Sequence, residues 1–215
     1  MPRPVTTVAA VKRTAVPDYL KPYQAAALRH RADFKSLLWE GRRPQALRFD
    51  AISRLCSLAQ KVIVDVGCGR ADLLDYLLSR QIAPSFYIGI EAVPVLAQAA
   101  RKKSHPNSEI VIDDFVSRPQ CLVRNADVII FSGSLNTLSS REFYSAIRAA
   151  CDAAPQVVFN FLASPRLAGC DYLFWHQPAA IRRLAKERGC KLRLLRDYIE
   201  GDCTISLTRS RGHSR

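Results

Sequence analysis

Between residues 61 and 188 the sequence keeps changing its hydrophobic period, and that alternation limits the fold more than any other feature. Short β-branched runs at 61–66, 86–91, 109–113, 126–132 and 156–162 stand between stretches with helical spacing. Those helical stretches fall at about 70–80, 94–103, 139–153 and 178–188. Strands joined through helices form a parallel sheet with helices on both faces. After residue 188 the pattern changes. "CKLRLLRDYI" and "DCTISLTR" flank Glu200-Gly201, a hairpin signal that adds one antiparallel strand. The expected architecture is α/β: a doubly wound, mostly parallel seven-stranded sheet with a C-terminal antiparallel hairpin strand. Two helical stretches precede it, an amphipathic one at 18–40 and a second at 44–59 with Pro44 in its first turn. Ligands of such sheets lie beyond the carboxyl ends of the strands, where the strand order reverses. The residues that follow the first four strands are therefore the informative ones.

The chain has 215 residues, which suits one domain with a full core. No apolar run is long enough to span a bilayer, and residues 1–17 lack the apolar stretch of a signal peptide. The seven cysteines are odd in number and include no CxxC pair, which fits reduced thiols in a cytoplasmic protein and no metal site. The net charge of +13 is uneven. Residues 1–54 carry +7 and residues 182–215 carry +6, while the middle is neutral. The basic ends suit nucleic acid or another anionic partner, and solvated helix faces and tails account for the same charge.

The stretch "VIVDVGCGRADL" (62–73) ends a strand in a glycine turn. A dinucleotide fingerprint would place its third glycine at residue 72, which is Asp72. A carboxylate in that first helical turn opposes a pyrophosphate at the helix N-terminus. A P-loop needs Gly-Lys-Ser/Thr, which is absent from this turn. The turn is built for a ligand without phosphate there. Asp65 precedes it, and Glu91 ends the second strand, where a carboxylate accepts ribose hydroxyls. The implied ligand is a nucleoside joined to a positively charged amino acid.

"VDVGCGRADL", "YIGIEAVP", "IVIDDF" and "ADVIIFSGSLN", in that order, resemble the motifs of class I S-adenosylmethionine-dependent methyltransferases over about residues 45–209. The resemblance implies a Rossmann-like methyltransferase fold with S-adenosyl-L-methionine as cofactor. It implies that Asp65, Gly67 and Gly69 hold the methionine part, with Ser132 close to it. Glu91 would take the ribose hydroxyls and Ala92 would pack beside the adenine. Asp114, with Asp113 as competitor, would accept from the adenine amino group, and the Phe115 amide would face a ring nitrogen. Where the family commonly has a third glycine this chain has Ala71, so crowding is expected there. "LLWEGRRPQALRF" (37–49) resembles a small bacterial subgroup with a Trp and then Gln-x-x-Arg-Phe before the glycine turn. The resemblance implies that residues 18–60 form helices covering the cofactor, ahead of a methyltransferase domain at 61–209. Residues 1–17 and 210–215 are expected as a flexible basic arm and a basic tail. Gln45 and Arg48 share one helix face at i, i+3, and Arg48 is placed to pair with the cofactor carboxylate.

The acceptor is less legible. "SGSLN" (132–136) lacks the proline pair of enzymes that methylate base amino groups, and no cysteine stands in the Pro-Cys context of a pyrimidine nucleophile. A small-molecule acceptor is the first expectation, with RNA or an acidic partner, bound through the basic ends, as the alternative. Interleaved Tyr19, Lys21 and Tyr23 favour the alternative. His176 is the candidate base, with His30 behind it, and Asn136 and Asn160 are candidates to orient the acceptor. Aromatic residues of "YLFW" (172–175) are candidates to line its pocket.

Overall fold

A computed structural model describes residues 15–167 and 169–209. The strands are β1 (Val62–Val66), β2 (Phe86–Glu91), β3 (Ser108–Ile112), β4 (Val128–Phe131), β5 (Gln156–Leu162), β6 (Cys190–Leu195) and β7 (Asp202–Arg209). They form one sheet in the order β3-β2-β1-β4-β5-β7-β6. Pairing is parallel from β3 to β5, and β7 runs antiparallel to both of its neighbours. The chain reverses its winding direction between β1 and β4, so a crevice opens beyond their carboxyl ends. This is the expected architecture, with β7 as the single antiparallel strand.

The helices are α1 (Lys21–His30), α2 (Arg42–Leu55), α3 (Asp72–Ser79), α4 (Pro94–Lys102), α5 (Ser140–Ala153) and α6 (Pro178–Glu187). Helices α2, α3 and α4 cover one face of the sheet, and α5 and α6 cover the other. Each central strand is buried on both faces, which is why β1, β4 and β5 read as continuous apolar runs. Helix α5 starts at a capping box in which Ser139 and Glu142 satisfy each other's backbone amides.

The N-terminal region departs from the expectation. Residues 18–40 are not one helix. A 3-10 turn at Asp18–Leu20 leads into α1, Arg31 ends α1 at φ 54°, and a second 3-10 turn spans Phe34–Leu37. Ser36 stabilises the break, because its buried hydroxyl donates to the Arg31 carbonyl at 2.7 Å. Helix α2 brings Pro44, Gln45, Arg48 and Phe49 to the crevice with its first two turns. It packs between β5, β7, β6 and α3 as part of the sheet's helical layer, with Ile52 and Ala51 fully buried. The hairpin is also longer than a two-residue turn. Residues 196–201 connect β6 to β7, and Tyr198 folds that loop back by bonding to Asp202 at 2.8 Å and Thr204 at 2.7 Å. The expected basic arm and tail fall mostly at residues 1–14 and 210–215, outside the described residues.

Candidate functional site

The crevice at the β1/β4 switch is a cavity, and the glycine turn is its floor. Gly67 at φ 71° and Gly69 at φ 56° bend the chain sharply after β1. The amides of Gly67 and Cys68 both donate to the Ile90 carbonyl, at 2.8 and 3.0 Å, which ties the turn to the end of β2. A Cβ on Gly67 would stand 2.4 Å from the Ser134 Cβ, so only glycine lets the two loops meet. Ala71 occupies the third position in a left-handed conformation, φ 57°, at the N-cap of α3. It is 1% exposed, and the departure shows as backbone strain in a residue with a Cβ.

Acidic groups dominate this cavity. Asp65, Asp72, Glu91 and Glu40 all line it, against one guanidinium, that of Arg48. Burial pushes the Asp65 carboxyl up to about 7; the Tyr87 hydroxyl opposes this, and the neighbouring Glu91 and Asp72 carboxylates add to it. One Asp65 oxygen accepts from Tyr87 at 2.5 Å, while Oδ1 is buried with no partner. Ser132 Oγ and Asn136 Oδ1 are likewise buried and unpartnered, and both residues line the same space. Unpaired buried acceptors are costly, so a cluster of them marks a place where a ligand's donors belong.

Glu91 is structural as well as exposed to the cavity. Oε2 accepts the Gly69 amide at 2.8 Å and Oε1 accepts the Val93 amide at 2.7 Å. Burial raises its pKa, and these amides oppose the rise. Each carboxylate oxygen keeps a further lone pair for a hydroxyl donor. Ala92 and Phe115 line the cavity beside it.

The lid comes from the segment before α2. Tyr19, Leu20, Tyr23, Leu37, Leu38 and Trp39 all face the cavity. Helix α1 rests on Val93 and Leu96 at the start of α4. The Trp39 ring covers Gly133, where a Cβ would approach it to 2.8 Å. Tyr19 and Tyr23 are therefore turned inward and withdrawn as a nucleic-acid surface.

Three candidate residues stand differently from the expectation. Asp114 is not among the lining residues: its carboxylate accepts from Tyr19 Oη at 2.7 Å, Ser117 Oγ at 2.8 Å and the Val116 amide at 3.0 Å. Its competitor Asp113 pairs with Arg118 at 2.8 Å and also lies off the cavity. Arg48 does line the cavity, yet its Nε donates to Asp202 Oδ2 and its Nη2 pairs with the same oxygen. Its guanidinium also stacks 4.8 Å from the Trp39 ring centroid. His176 lies outside the cavity. It stacks on Phe143 at 3.7 Å between ring centroids, and burial lowers its pKa to about 4. A histidine so placed does not reach a reacting group in the cavity.

Gln45 is buried in the cavity wall, with Nε2 at 3.5 Å from Asp72 Oδ2. Asn160 sits behind the site, and its Oδ1 accepts the Gly133 amide at 2.7 Å. Of the "YLFW" residues, Tyr172 and Leu173 line the cavity and Phe174 and Trp175 do not. Leu162 and Ile199 complete that end. Sequence reasoning missed Asp202, Ser134, Thr137 and Ile199. Ser134 stands inside "SGSLN" and was passed over, whereas no motif marks Asp202, Thr137 or Ile199, which reach the site only through the fold. Among the described residues no group of three or more His, Cys, Asp or Glu is placed to hold a metal, and no helix is long and apolar enough to cross a membrane.

No protein-family model and no characterised protein sequence matches the chain. Solved structures do match in shape. Magnesium protoporphyrin IX methyltransferase from Synechocystis PCC 6803 with bound SAM is 14% identical, with 92% of this chain and 99% of that one covered at a TM-score of 0.66. An O-methyltransferase family protein from Burkholderia thailandensis is 16% identical over 88% of this chain and 63% of that one, at 0.65. The methyltransferase domain of bacterial CtHen1 is 16% identical over 78% of this chain and all of its own length, at 0.59. The strand order, the reversal at β1/β4 and these matches give the chain the fold of class I S-adenosylmethionine-dependent methyltransferases.

Proposed function

We propose that the cavity binds S-adenosylmethionine and that the chain transfers its methyl group to a small-molecule acceptor. The observation that carries this reading is the set of three buried, unpartnered acceptors, Asp65 Oδ1, Ser132 Oγ and Asn136 Oδ1, in one acidic cavity at the topological switch. Such a lining suits a ligand with an ammonium, a sulfonium and hydroxyl donors. Asp65 faces the ammonium. Gly67 and Gly69 let the amino-acid part approach the backbone. Glu91 takes the ribose hydroxyls on the lone pairs that Gly69 and Val93 leave free. Ala92 and Phe115 hold the adenine between them. Gln45, beside Asp72, and Arg48 form one wall, and the Arg48 edge not bonded to Asp202 is free for a carboxylate.

When bound, the cofactor supplies an electrophilic methyl group. The chain's own task is then alignment and exclusion of water. Leu162, Tyr172, Leu173 and Ile199 give the cavity an apolar stretch of lining, which supports a small acceptor with an apolar body. The Synechocystis neighbour, a magnesium protoporphyrin IX methyltransferase, supports the same reading. Asn136 Oδ1 accepts a hydrogen bond from the acceptor's donor and so fixes its lone pair toward the methyl group. Calorimetry with S-adenosylmethionine and S-adenosylhomocysteine tests the proposal. Saturable binding of both is expected, and absence of heat and of any thermal shift at millimolar ligand refutes it.

A further inference from the structure

Two residues of the cavity wall are held from behind by groups outside its lining. Arg48 lines the cavity, and so does Trp39, whose ring centroid lies 4.8 Å from the Arg48 guanidinium. Asp202 does not line it. This aspartate is buried at the start of β7, opposite Leu162 at the end of β5. Its Oδ2 takes both Nε and Nη2 of Arg48. Its Oδ1 accepts the Tyr198 hydroxyl at 2.8 Å, and the same hydroxyl lies 2.7 Å from Oγ1 of the buried Thr204. Burial raises the Asp202 pKa, and the Arg48 charge opposes the rise.

A chain of contacts therefore runs from the sheet to the cavity wall: Thr204, Tyr198, Asp202, Arg48, Trp39. A guanidinium carries its N–H donors in one plane. Asp202 takes the side formed by Nε and Nη2, which leaves Nη1 with no hydrogen bond among the described residues. With that side fixed and the indole beside it, the plane is restrained both from turning and from tipping. A buried ion pair is a weak source of stability, because desolvation costs about as much as the pairing returns. What this pair supplies is orientation. The Arg48 charge also reaches the lid: burial and then Glu91 raise the pKa of Tyr23, another lining residue, and Arg48 opposes them. The indole edge meets Gly133, whose amide donates to Asn160 Oδ1 at 2.7 Å. Asn160 stands opposite Thr204 in the β5–β7 ladder, so both ends of the grip on Trp39 start from the same pair of strands.

We propose, resting on the cofactor reading above, that Asp202, with Tyr198 behind it, is a positioning residue that holds the Arg48 guanidinium so that its unpaired edge meets the cofactor's carboxylate and Trp39 stays over Gly133. Asp202 then takes part in selecting the amino-acid end of the ligand without touching it. Holding the fork in place before the ligand arrives removes the cost of ordering it on binding, and that saving appears as affinity for the carboxylate.

Decarboxylated S-adenosylmethionine is the probe, because it keeps the ammonium, the sulfonium and the nucleoside and lacks only the carboxylate. Calorimetry with this compound and with S-adenosylmethionine gives an affinity ratio for the unmodified chain, for Asp202→Asn and for Tyr198→Phe, each checked for folding by a thermal melt. Tyr198→Phe removes one hydroxyl and keeps the ring, so it reads the same chain of contacts should Asp202→Asn not fold. The unmodified chain should prefer the carboxylate about tenfold or more, the scale of a charge-assisted pair. That ratio should fall to about threefold or less in Asp202→Asn and part of the way in Tyr198→Phe, with affinity for the decarboxylated compound held within about twofold. A purely structural role would weaken both ligands alike. Equal losses for both ligands, a ratio near one in the unmodified chain, or an unchanged ratio in the variants overturns the assignment. So does a ratio that rises in Asp202→Asn, which would mean that Asp202 only neutralises Arg48. A second measurement needs no ligand. The sequence has two tryptophans, so Trp175→Phe leaves Trp39 as the single indole reporter. In that background acrylamide should quench Trp39 more strongly once Asp202→Asn or Tyr198→Phe is added, and equal quenching overturns the positioning of the indole. Failure of the unmodified chain to bind S-adenosylmethionine refutes the proposed function, whereas the quenching result is read apart from it.

Discussion

The Asp65 carboxyl should make cofactor affinity depend on pH. Its pKa stands at about 7 because burial disfavours the charged form and no cation faces its free oxygen. An ammonium placed against Oδ1 favours the carboxylate and lowers that pKa in the complex. Below pH 7 binding then requires loss of a proton, at about tenfold in affinity, or about 1.4 kcal/mol, per pH unit. From pH 7.5 to pH 5.5 the expected fall is roughly 20- to 30-fold. Other titrating groups do not cancel it. His176, near 4, stays neutral throughout, and burial raises Glu91 too, so any proton it holds acts in the same direction. The ligand's own α-amino group, near 8 in peptides, stays largely charged in this window. Titration calorimetry in two buffers of different ionisation enthalpy measures the proton directly, and more than half a proton should leave the protein on binding at about pH 6.5. Asp65→Asn preserves the shape and the Tyr87 bond but cannot titrate. Its affinity should be lower at pH 7.5 and its slope much shallower. A wild-type affinity that is flat over this window, or an equal slope in Asp65→Asn, refutes the reasoning.

In the ligand-free protein the sign reverses. The folded state holds a proton on Asp65 between about pH 4 and 7 that the unfolded state has lost, so this group's contribution is present in full below the unfolded value and is lost as pH rises through about 7. Asp65→Asn should therefore stabilise the unliganded chain by about 1–3 kcal/mol at pH 7.5 in urea melts; a loss of stability contradicts the raised pKa. Asp202→Ala strips a half-buried Arg48 of its partner and should cost about 2–4 kcal/mol, whereas the double variant with Arg48→Ala should recover part of that loss. Additive losses would mean that the pair does not couple. Ala71→Gly should stabilise by up to about 1 kcal/mol in a thermal melt, because the site has φ 57°. Gly133→Ala drives a Cβ to 2.8 Å from the Trp39 ring at φ 75° and should destabilise by about 1–3 kcal/mol while weakening cofactor binding; an unchanged melt would place Trp39 elsewhere.

What the sequence revealed and what it hid divide along one physical line. The sheet was legible because its central strands are short, buried on both faces and bounded by turns, so their period and their limits are local properties of the chain. The floor of the cavity was legible for the same reason, since Asp65, Gly67 and Gly69 are consecutive with the strand that presents them and Glu91 ends its neighbour. The walls were not local. Arg48 stands 154 residues from Asp202, and Tyr19 stands 95 from Asp114, so nothing in either neighbourhood announces the partner. Both pairings change the reading of a residue named from motif alone. Arg48 is anchored before any ligand arrives, which gives it a fixed edge instead of a free charge. Asp114 already accepts from Tyr19, so the residue expected to meet the adenine instead fastens the lid. His176 failed for a different reason: histidine is read as a base by its chemistry, and only packing against Phe143 decides that it is neutral and turned away. His176 instead lines a separate cleft together with Phe174 and Trp175. One four-residue run thus lines the cavity through Tyr172 and Leu173 and the separate cleft through Leu173, Phe174 and Trp175, because an irregular segment can present successive side chains to different sides.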